Sequence, residues 1–486
     1  EVFGSPAVLC TGVCTLMAPV KSICVIGAGH VGVPHAVTVA SKCPDIRVTV
    51  VDDDARKIKA WGSARLPFFE PGMQPTLEEV RGVNLFFSTD IAAAIAEADM
   101  VLVSVSTPVK ETGANAGYAP DLQHWEAIAR KIAAASRTPK IIVERSTVPV
   151  ATADTMTAVI RANSTVERSS LSTGEWVVLS NPEFAQQGNA MLCQASPERV
   201  MIGVAEGDKH AEEAARALAA IYERWVPKSR ILLSDLWSAE LSKMVADAFL
   251  AQRISSINSI SALCERTGAD VSEVSHAIGV DTRIGRKYLQ ASVGFGGACY
   301  ETHLRNLVYL CKHYRLPQVG TYWESVLKMN DYQKRRFAAN IVGKMFNTIS
   351  NKKLAVLGFA YKKNTSDTRH TVAIDVCNYL LAERARLSIH DPRVAAEAIG
   401  IHFSGGGLDH LVNVETDPYA ACDGAHALIL LTEWDMYLEL DFEKVYEKMS
   451  RPAHIFDGRN LLDHDKLREI GFLVEGVGKG SPPSDE

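Results

Sequence analysis

The strongest constraint on the fold is a pattern of short apolar runs alternating with helical stretches, which occurs at both ends of the chain. The first occurrence begins with Ser22–Ile26, and the second begins near Lys353. In each, a run ending at an aspartate follows the opening run. Strands alternating with helices form right-handed βαβ units around a parallel sheet. The sequence therefore predicts an α/β protein with two doubly wound, Rossmann-like domains. The predicted strands are Ser22–Ile26, Arg47–Val51, Met100–Val105, Lys140–Val143, Trp176–Leu179, Leu354–Leu357, Leu387–His390, Ala427–Leu431 and His454–Phe456.

A helical region is predicted between the two domains. No proline or glycine lies between Pro227 and Gly268, and Ser238–Arg266 is compatible with one helix of about 43 Å at ~1.5 Å per residue. A helix of that length usually links two lobes, and Tyr322–Phe346 is also predicted to be helical. The predicted divisions are an N-terminal extension (1–20), a first Rossmann domain (21–235), a helical central domain (236–350), a second Rossmann-like domain (351–477) and a disordered tail (478–486).

Composition narrows the class of protein. The 486 residues exceed the ~250–300 that one core supports. With 51 basic and 57 acidic residues the net charge is −6, which does not favour nucleic acid or an anionic membrane as partner. No apolar run approaches the ~20 residues of a membrane helix, so a cytoplasmic protein is expected. The ten cysteines form no CxxC pair or zinc-type cluster, and we expect reduced thiols and no metal site.

A glycine-rich turn follows the first predicted strand and has the spacing GxGxxG. Such a turn between a strand and a helix binds a dinucleotide pyrophosphate at the helix N-terminus, with an acid ~20 residues further on for the ribose. Asp52 lies 20 residues after Gly32, at the end of the next strand, which favours NAD over NADP. The alternative is a glycine turn in a domain that binds no cofactor. The turn consists of Gly27, Ala28, Gly29, His30, Val31 and Gly32.

Two polar loops follow later strands of the same predicted sheet. Ligands bind at the carboxyl ends of strands in such sheets, so small hydroxyl side chains there can line a nicotinamide site. Plain polar turns are the alternative. The loops contain Val105, Ser106 and Thr107, and Ser146, Thr147 and Val148.

Two further features are candidates for chemistry. Cys299 follows a glycine pair and precedes a helical stretch, and a thiol at a helix N-terminus has a lowered pKa and can act as a nucleophile. The alternative is a buried, inert cysteine. Lys243 and Asp247 lie four residues apart on one face of the long helix, either as an exposed ion pair or as part of a site between the lobes.

Long ordered blocks then reveal a resemblance. The segments "GAGHVG", "STVPV", "SNPEF", "RIGRKYLQASVGFGGACY", "GFAYKKNTSDTR" and "FDGRNLLD" resemble the UDP-glucose 6-dehydrogenases of the UDP-glucose/GDP-mannose dehydrogenase family, from Lys21 to about Val477. The resemblance implies two Rossmann-like domains, for NAD and for the UDP-sugar, joined by a long helix in a homodimer or hexamer. It also implies two oxidations of C6 of UDP-glucose by two NAD⁺, giving UDP-glucuronate through a cysteine thiohemiacetal and thioester.

The resemblance also implies roles for individual residues. Cys299 matches the nucleophile, Lys243 the lysine that stabilises an oxyanion, and Thr147 a threonine associated with the catalytic water. Glu183 matches a glutamate of the substrate site. Cofactor contacts fall on Asp52, Lys57, Gln187 and Arg369. Substrate contacts fall on Glu183, Phe184, Lys243, Phe295, Gly296, Tyr361, Lys362 and Arg459, with Arg283 reaching in from a neighbouring subunit.

Several positions depart from the family pattern. His303 stands where the family has an aspartate that assists the chemistry, Asp247 where it has an oxyanion-binding asparagine, and Gln187 where it has a glutamate. Asp247 would oppose an oxyanion and could sequester Lys243, while His303 is a candidate replacement base. Glu301 beside Cys299 is expected to raise the pKa of the thiol. The alternatives are therefore a catalytically impaired paralogue that acts as a nucleotide-binding, structural or regulatory subunit, and an enzyme for another nucleotide sugar.

Overall fold

The computed structural model describes residues 19–138, 140–164, 176–404 and 407–479. Its first part is a sheet in the spatial order β3-β2-β1-β4-β5-β6-β7-β8, which has eight strands in the described chain. The strands are β1 Ser22–Ile26, β2 Arg47–Val51, β3 Leu85–Ser88, β4 Met100–Val103, β5 Ile141–Glu144, β6 Val177–Ser180, β7 Val200–Val204 and β8 Ile231–Asp235. The helices of this part are α1 Gly32–Lys42, α2 Ala55–Trp61, α3 Met73–Val80, α4 Ile91–Glu97, α5 Gln123–Ala135, α6 Thr152–Asn163, α7 Ala190–Ala195 and α8 Lys209–Tyr222.

The first six strands have the order 3-2-1-4-5-6 that binds dinucleotides in doubly wound sheets. They are parallel, and β4, β5 and β6 are buried throughout because helices pack on both faces. The predicted strands of this sheet are parallel, as expected, and beyond them β7, which was not among the predicted strands, runs antiparallel to β6 and β8 pairs parallel with β7. The connection from β6 to β7 forms a loop that carries Glu183, and β7 then returns in the opposite direction.

A helical region follows the first sheet. Its helices are α9 Leu236–Thr267, α10 Val271–Val280, α11 Ala298–His313 and α12 Pro317–Lys344. α9 has 32 residues and is therefore about 48 Å long at ~1.5 Å per residue. The Asp235 side chain accepts the Ser238 N–H at its start, and Gly268 ends it with a φ of 78°. The predicted long helix is confirmed.

The last part is a second sheet with the order β11-β10-β9-β12-β13-β14, again 3-2-1-4-5-6 and parallel over its described strands. The strands are β9 Lys353–Leu357, β10 Arg386–His390, β11 Val412–Glu415, β12 Ala427–Leu430, β13 His454–Asp457 and β14 Leu473–Gly476. The helices are α13 Val372–Ala382, α14 Ala396–Ile401, α15 Pro418–Cys422, α16 Phe442–Lys448 and α17 His464–Ile470. The predicted fold class, two Rossmann-like domains with a helical middle region, is confirmed.

The two chain ends differ in detail from the sequence expectations. Residues 1–18 of the predicted extension lie outside the described residues, but Val20 is buried in the core of the first part. Residues 480–486 of the predicted tail also lie outside them, whereas Gly478 and Lys479 are held by hydrogen bonds to Glu265 and Asp270. In the described chain, no helix combines the length and the apolar character needed to cross a bilayer.

Candidate active site

The three glycines of the turn after β1 have three different surroundings. A Cβ on Gly27, which has a φ of 109°, would lie 2.5 Å from the Ser104 carbonyl oxygen. A Cβ on Gly32 would lie 2.2 Å from the Gly27 carbonyl oxygen. A Cβ on Gly29 would meet no atom within 4 Å, so the backbone there faces open space in front of the α1 N-terminus. These residues fit a bound pyrophosphate, which needs such an approach to the backbone.

Asp52 lies directly after β2 and supports this turn. Its Oδ2 accepts the Ala28 N–H and the Lys57 ammonium, each at 2.9 Å. The His30 ring stacks on Phe68 with 3.8 Å between centroids. The structure therefore brings the predicted ribose-binding acid, Lys57 and the glycine turn together.

Two charged residues of the second Rossmann-like domain, Asp367 and Arg369, influence His30 of the glycine turn. Burial lowers the pKa of His30 to about 4, Asp367 opposes this shift and Arg369 adds to it. Arg369 makes a two-pronged ion pair with Asp367, at 3.0 and 2.6 Å. Arg369, the predicted cofactor contact, thus lies across the cleft from the glycine turn.

The two polar loops are joined to each other at the carboxyl ends of β4 and β5. The Ser146 hydroxyl donates to the Val105 carbonyl oxygen at 2.7 Å. The Thr107 hydroxyl donates to the Thr147 carbonyl oxygen, also at 2.7 Å. Ser106 lies within the first loop, and Val148 is buried behind the second. The loops form one wall beside the glycine turn.

Cys299 is the second residue of α11 and opens onto the cleft. The turn before it packs closely on the second Rossmann-like domain, since a Cβ on Gly297 would lie 2.7 Å from the Tyr361 ring and one on Gly296 would lie 2.6 Å from the His370 carbonyl oxygen. Asn330 holds the same turn by hydrogen bonds to both the N–H and the carbonyl of Phe295, each 2.9 Å. The thiol is therefore held where the first sheet, the long helix and the second domain meet.

Two opposite expectations were drawn from the sequence for the pKa of Cys299, a lowering by the helix N-terminus and a raising by Glu301. Although the thiol is accessible from the cleft, the surrounding protein desolvates it and raises its pKa above the ordinary value, and Lys243 opposes this shift without cancelling it. The expectation of a lowered pKa was wrong because it considered the helix N-terminus without the burial.

Glu301 is not the source of this shift. It forms ion pairs with Arg305 at 2.6 Å and with His370 at 3.1 Å, and these contacts outweigh its burial and hold its own pKa at about 2. Asp247 and Asp367 are the carboxylates that raise the pKa of the Cys299 thiol. The charge of Glu301 is compensated by its neighbours.

Lys243, Asp247 and His303 form one buried chain of contacts beside the thiol. The Lys243 ammonium lies 2.9 Å from Asp247 Oδ2, and His303 Nδ1 lies 2.6 Å from the same oxygen. Burial opposes ionisation of Asp247, but Lys243 and His303 outweigh it and hold the pKa of Asp247 at about 2. Burial likewise tends to lower the pKa of Lys243, but Asp247 raises it above its ordinary value. The lysine and the aspartate are therefore a neutralised pair, not an exposed one.

Glu183 follows β6 and is engaged on both carboxylate oxygens. Arg145 and Gln194 donate to its Oε2, and the Ala185 N–H donates to Oε1 at 2.7 Å. Arg145 is buried and also donates to the Tyr222 hydroxyl at 2.6 Å. Sequence reasoning included Arg145 in the polar loop that continues with Ser146 but gave it no role in the site.

The neighbouring residues of the Glu183 loop contribute differently. The Phe184 ring lies under the Arg199 guanidinium at 3.9 Å and faces the Lys243 ammonium at 5.6 Å. Gln187 has a buried side-chain oxygen with no hydrogen-bond partner among the described residues. Glu70, which sequence reasoning did not single out, accepts the Gly188 N–H at 2.7 Å and fixes the end of the loop.

The second domain supplies cations to the cleft. Burial lowers the pKa of Lys362, while Glu433, Glu70 and the thiols of Cys193 and Cys299 oppose this shift. Arg459 donates to the Leu431 carbonyl at 2.7 Å and more weakly to those of Gly294 and Tyr361. Arg283 is not brought to this cleft in the same chain, because it lies in the exposed loop after α10 and pairs with Asp281 at 2.6 Å.

This fold and site define a class of protein. A dinucleotide-binding sheet, a thiol at a helix N-terminus and a second nucleotide-type sheet that supplies lysine and arginine meet at one cleft. The described residues contain no cluster of three or more side chains able to hold a metal ion. The class is that of nucleotide-dependent oxidoreductases.

Comparisons with known proteins identify the family. Three family models of the UDP-glucose/GDP-mannose dehydrogenase family match: its NAD binding domain over residues 21–226, its central domain over 237–332 and its UDP binding domain over 355–464. The chain belongs to this family.

Relatives match over nearly the whole chain. The UDP-glucose 6-dehydrogenase of Mus musculus is 52% identical over 473 residues, covering 95% of this chain and 94% of that protein. UDP-glucose 6-dehydrogenase 1 of Arabidopsis thaliana is 50% identical over 476 residues, covering 94% and 97%. The solved structure of a UDP-glucose dehydrogenase from Pyrobaculum islandicum has a TM-score of 0.80 at 29% identity and covers 94% of this chain and 98% of that one.

Proposed function

We propose that the protein oxidises the C6 hydroxymethyl group of UDP-glucose to the carboxylate of UDP-glucuronate, in two steps that each use one NAD⁺. The observation that carries the proposal is the position of Cys299, at the start of α11 and facing the cleft between two nucleotide-type sheets. UDP-glucose 6-dehydrogenases about 50% identical over about 95% of the chain support it.

The first domain, residues 21–235, binds NAD. The opening in front of Gly29 receives the pyrophosphate, and Asp52 with Lys57 receives the adenosine ribose, where an acid selects a free 2′-hydroxyl. The bound cofactor supplies the hydride acceptor for both oxidations. The joined loops of Val105 and Thr147 orient the nicotinamide end, and Arg369 closes over it from the second domain.

The reacting carbon lies at Cys299. The thiol adds to the aldehyde formed in the first oxidation, so that the reactive aldehyde stays bound as a thiohemiacetal. The second oxidation converts this adduct to a thioester, which water hydrolyses. Lys243 stabilises the oxyanion by its positive charge, and its pairing with Asp247 reduces this stabilisation. Thr147 helps position the water. Glu183 orients the substrate loop through Arg145.

The second Rossmann-like domain, residues 351–477, binds the UDP-sugar. Lys362 and Arg459 provide donors for the diphosphate, and Tyr361, Phe295 and Gly296 line the sugar side. Phe184 packs at the opposite side of the same pocket, beside Lys243.

The central region, residues 236–350, mediates assembly into a homodimer or hexamer, and the enzyme acts in the cytoplasm. Apolar side chains exposed along α9 support a subunit interface. They are Trp237, Leu241, Phe249, Ile260 and Leu263. Arg283, which has no role in its own chain's cleft, reaches the substrate site of a neighbouring subunit.

The test is NADH production from UDP-glucose and NAD⁺, measured by absorbance at 340 nm beside a Cys299→Ser variant. Two NADH are expected per sugar, with loss of the second oxidation in the variant. Full turnover by Cys299→Ser would contradict the covalent step. No NADH from the parent, with NAD⁺ still raising its Tm, would instead support the impaired paralogue, and turnover of a different UDP-sugar would correct the substrate.

A further inference from the structure

The charge balance beside Cys299 leaves the thiol without an activating cation. Lys243 is the nearest ammonium, but Asp247 pairs with it at 2.9 Å, and the surrounding protein keeps the pKa of the thiol high. A neutral thiol is a poor nucleophile and must lose its proton as it attacks. The site therefore needs a proton acceptor within reach of the sulfur.

His303 is placed to be that acceptor. Cys299 and His303 are four residues apart on α11, so their Cβ atoms lie on one face about 5–6 Å apart. His303 is buried, and its Nδ1 contacts Asp247 Oδ2 at 2.6 Å. Because Asp247 stays ionised, it favours the proton on Nδ1 and leaves Nε2 free to accept another. A nucleophile, a base and a carboxylate that orients the base are the three parts of a hydrolytic triad.

We propose that Cys299, His303 and Asp247 form a thiol–imidazole–carboxylate triad that hydrolyses activated esters and thioesters without a nicotinamide cofactor. In the first step His303 takes the thiol proton, the sulfur attacks the carbonyl carbon, the carbon–oxygen or carbon–sulfur bond to the leaving group breaks, and His303 gives the proton to the departing oxygen or sulfur, which leaves the imidazole neutral again. In the second step His303 takes a proton from water, the hydroxide attacks the acyl carbon, and the acyl–sulfur bond breaks. The thiolate then regains a proton from His303, and the carboxylic acid is released.

The same second step would hydrolyse the sugar thioester, and that part rests on the proposed function. The ester reaction does not, since it needs neither NAD⁺ nor a UDP-sugar. Asp247 acts through His303 and is a positioning residue. Asp247 therefore has two opposite effects on the thiol. By orienting His303 it promotes removal of the thiol proton, and by pairing with Lys243 it weakens the cation that would lower the pKa of the thiol. The test separates these two effects.

The experiment is hydrolysis of p-nitrophenyl acetate by the full chain without NAD⁺, followed by the release of p-nitrophenolate. We expect a burst of about one product per Cys299, then steady turnover. His303→Gln, whose amide can still contact Asp247 but cannot accept a proton, should lower steady turnover by about 10²–10⁴-fold. His303→Ala should lower turnover to the same extent, and added imidazole should partly restore turnover.

The matched controls are His313→Ala, which changes an exposed histidine at the far end of the same helix, and Cys193→Ser, which changes a half-buried thiol. Both should hydrolyse the ester as the parent does.

The Asp247→Asn variant tests whether Asp247 orients His303 or has only a structural role. Without the carboxylate, Lys243 is no longer neutralised, so alkylation of the thiol by iodoacetamide should occur at lower pH. Ester turnover should nevertheless fall at least about tenfold, because His303 loses the partner that orients it. A variant that alkylates and hydrolyses like the parent would overturn the role of Asp247.

The two proposals fail in distinguishable ways. A parent that makes NADH from UDP-glucose but releases no p-nitrophenolate, or a His303→Gln variant that hydrolyses the ester at the parental rate, would overturn the triad and leave the dehydrogenase standing. Ester hydrolysis that depends on His303, in a protein that makes no NADH, would support the triad and contradict the proposed oxidation.

Discussion

A methyl group at Gly29 tests the cofactor site without touching the folded chain, and the same change at Gly32 is its matched contrast. The Cβ of Gly29→Ala meets no atom within 4 Å, and Gly29 is not among the glycines with positive φ. Gly→Ala at a compatible position stabilises a protein by about 0.4–1 kcal/mol, because it restricts the unfolded chain. We therefore expect Gly29→Ala to leave the free energy of unfolding unchanged or slightly higher.

The same methyl should weaken cofactor binding. It would enter the space in front of the α1 N-terminus, and an extra methyl in a filled site costs about 1–3 kcal/mol. At about 1.4 kcal/mol per tenfold, NAD⁺ should bind roughly 5–150-fold more weakly. Gly32→Ala differs because its Cβ would lie 2.2 Å from a backbone oxygen that has little room to move. That variant should lose about 1–3 kcal/mol of stability or more, which lowers Tm by some 2–12 °C at about 2–4 °C per kcal/mol.

The assays are isothermal titration with NAD⁺ and thermal unfolding without ligand. The expected result is a crossed pattern, in which Gly29→Ala is stable and binds weakly while Gly32→Ala is unstable. Parental NAD⁺ affinity in Gly29→Ala would refute the placement of the pyrophosphate at this turn. A Tm loss in Gly29→Ala equal to that of Gly32→Ala would refute the claim that the space before the helix is open.

Two further predictions concern buried polar groups. Burial raises the pKa of Glu144 far above its ordinary value and that of its neighbour Glu240 to about 7, so the folded state holds protons that the unfolded chain has lost and stability should fall as pH rises from about 4.5 towards 7. Glu144→Gln has no proton to lose at this position, so its urea midpoint should fall less than that of the parent between pH 5.5 and 8; parallel curves would contradict the raised pKa of Glu144. Asn330→Ala removes both hydrogen bonds to the backbone of Phe295, leaving groups that cost about 1–3 kcal/mol each when unpaired. It should lower the urea midpoint and raise KM for UDP-glucose more than Asp331→Ala, on the exposed face of the same helix, and equal effects would contradict the role of Asn330.

The sequence predicts the parts of this molecule whose cause is local. The glycine turn, the acid after β2 and the long helix depend on neighbours a few residues away or on one unbroken run, and pattern and spacing reveal them. Pattern and spacing do not reveal the direction of β7 or the partner of Glu183. Arg145 and Glu183 are 38 residues apart and meet only because β5 and β6 are adjacent in the sheet. The cause of the raised pKa of Cys299, which is burial, was missed for a related reason, since burial depends on packing from three parts of the chain.

The contact between Asp247 and His303 changes the interpretation of these two departures from the family pattern. Taken separately, each replaces a residue that the family resemblance leads one to expect, and together they suggested a pocket that has lost its chemistry. In the structure they are 56 residues apart in sequence and 2.6 Å apart in space. The carboxylate missing at position 303 is present on the facing helix, where it contacts the residue that replaced it. Independent losses would leave a buried histidine and a buried aspartate to find partners elsewhere, because unpaired buried charge is costly. The carboxylate has in effect moved from position 303 to position 247, and the pocket still contains a carboxylate, an imidazole and the Cys299 thiol. This arrangement favours a catalytically active site over an inactive one.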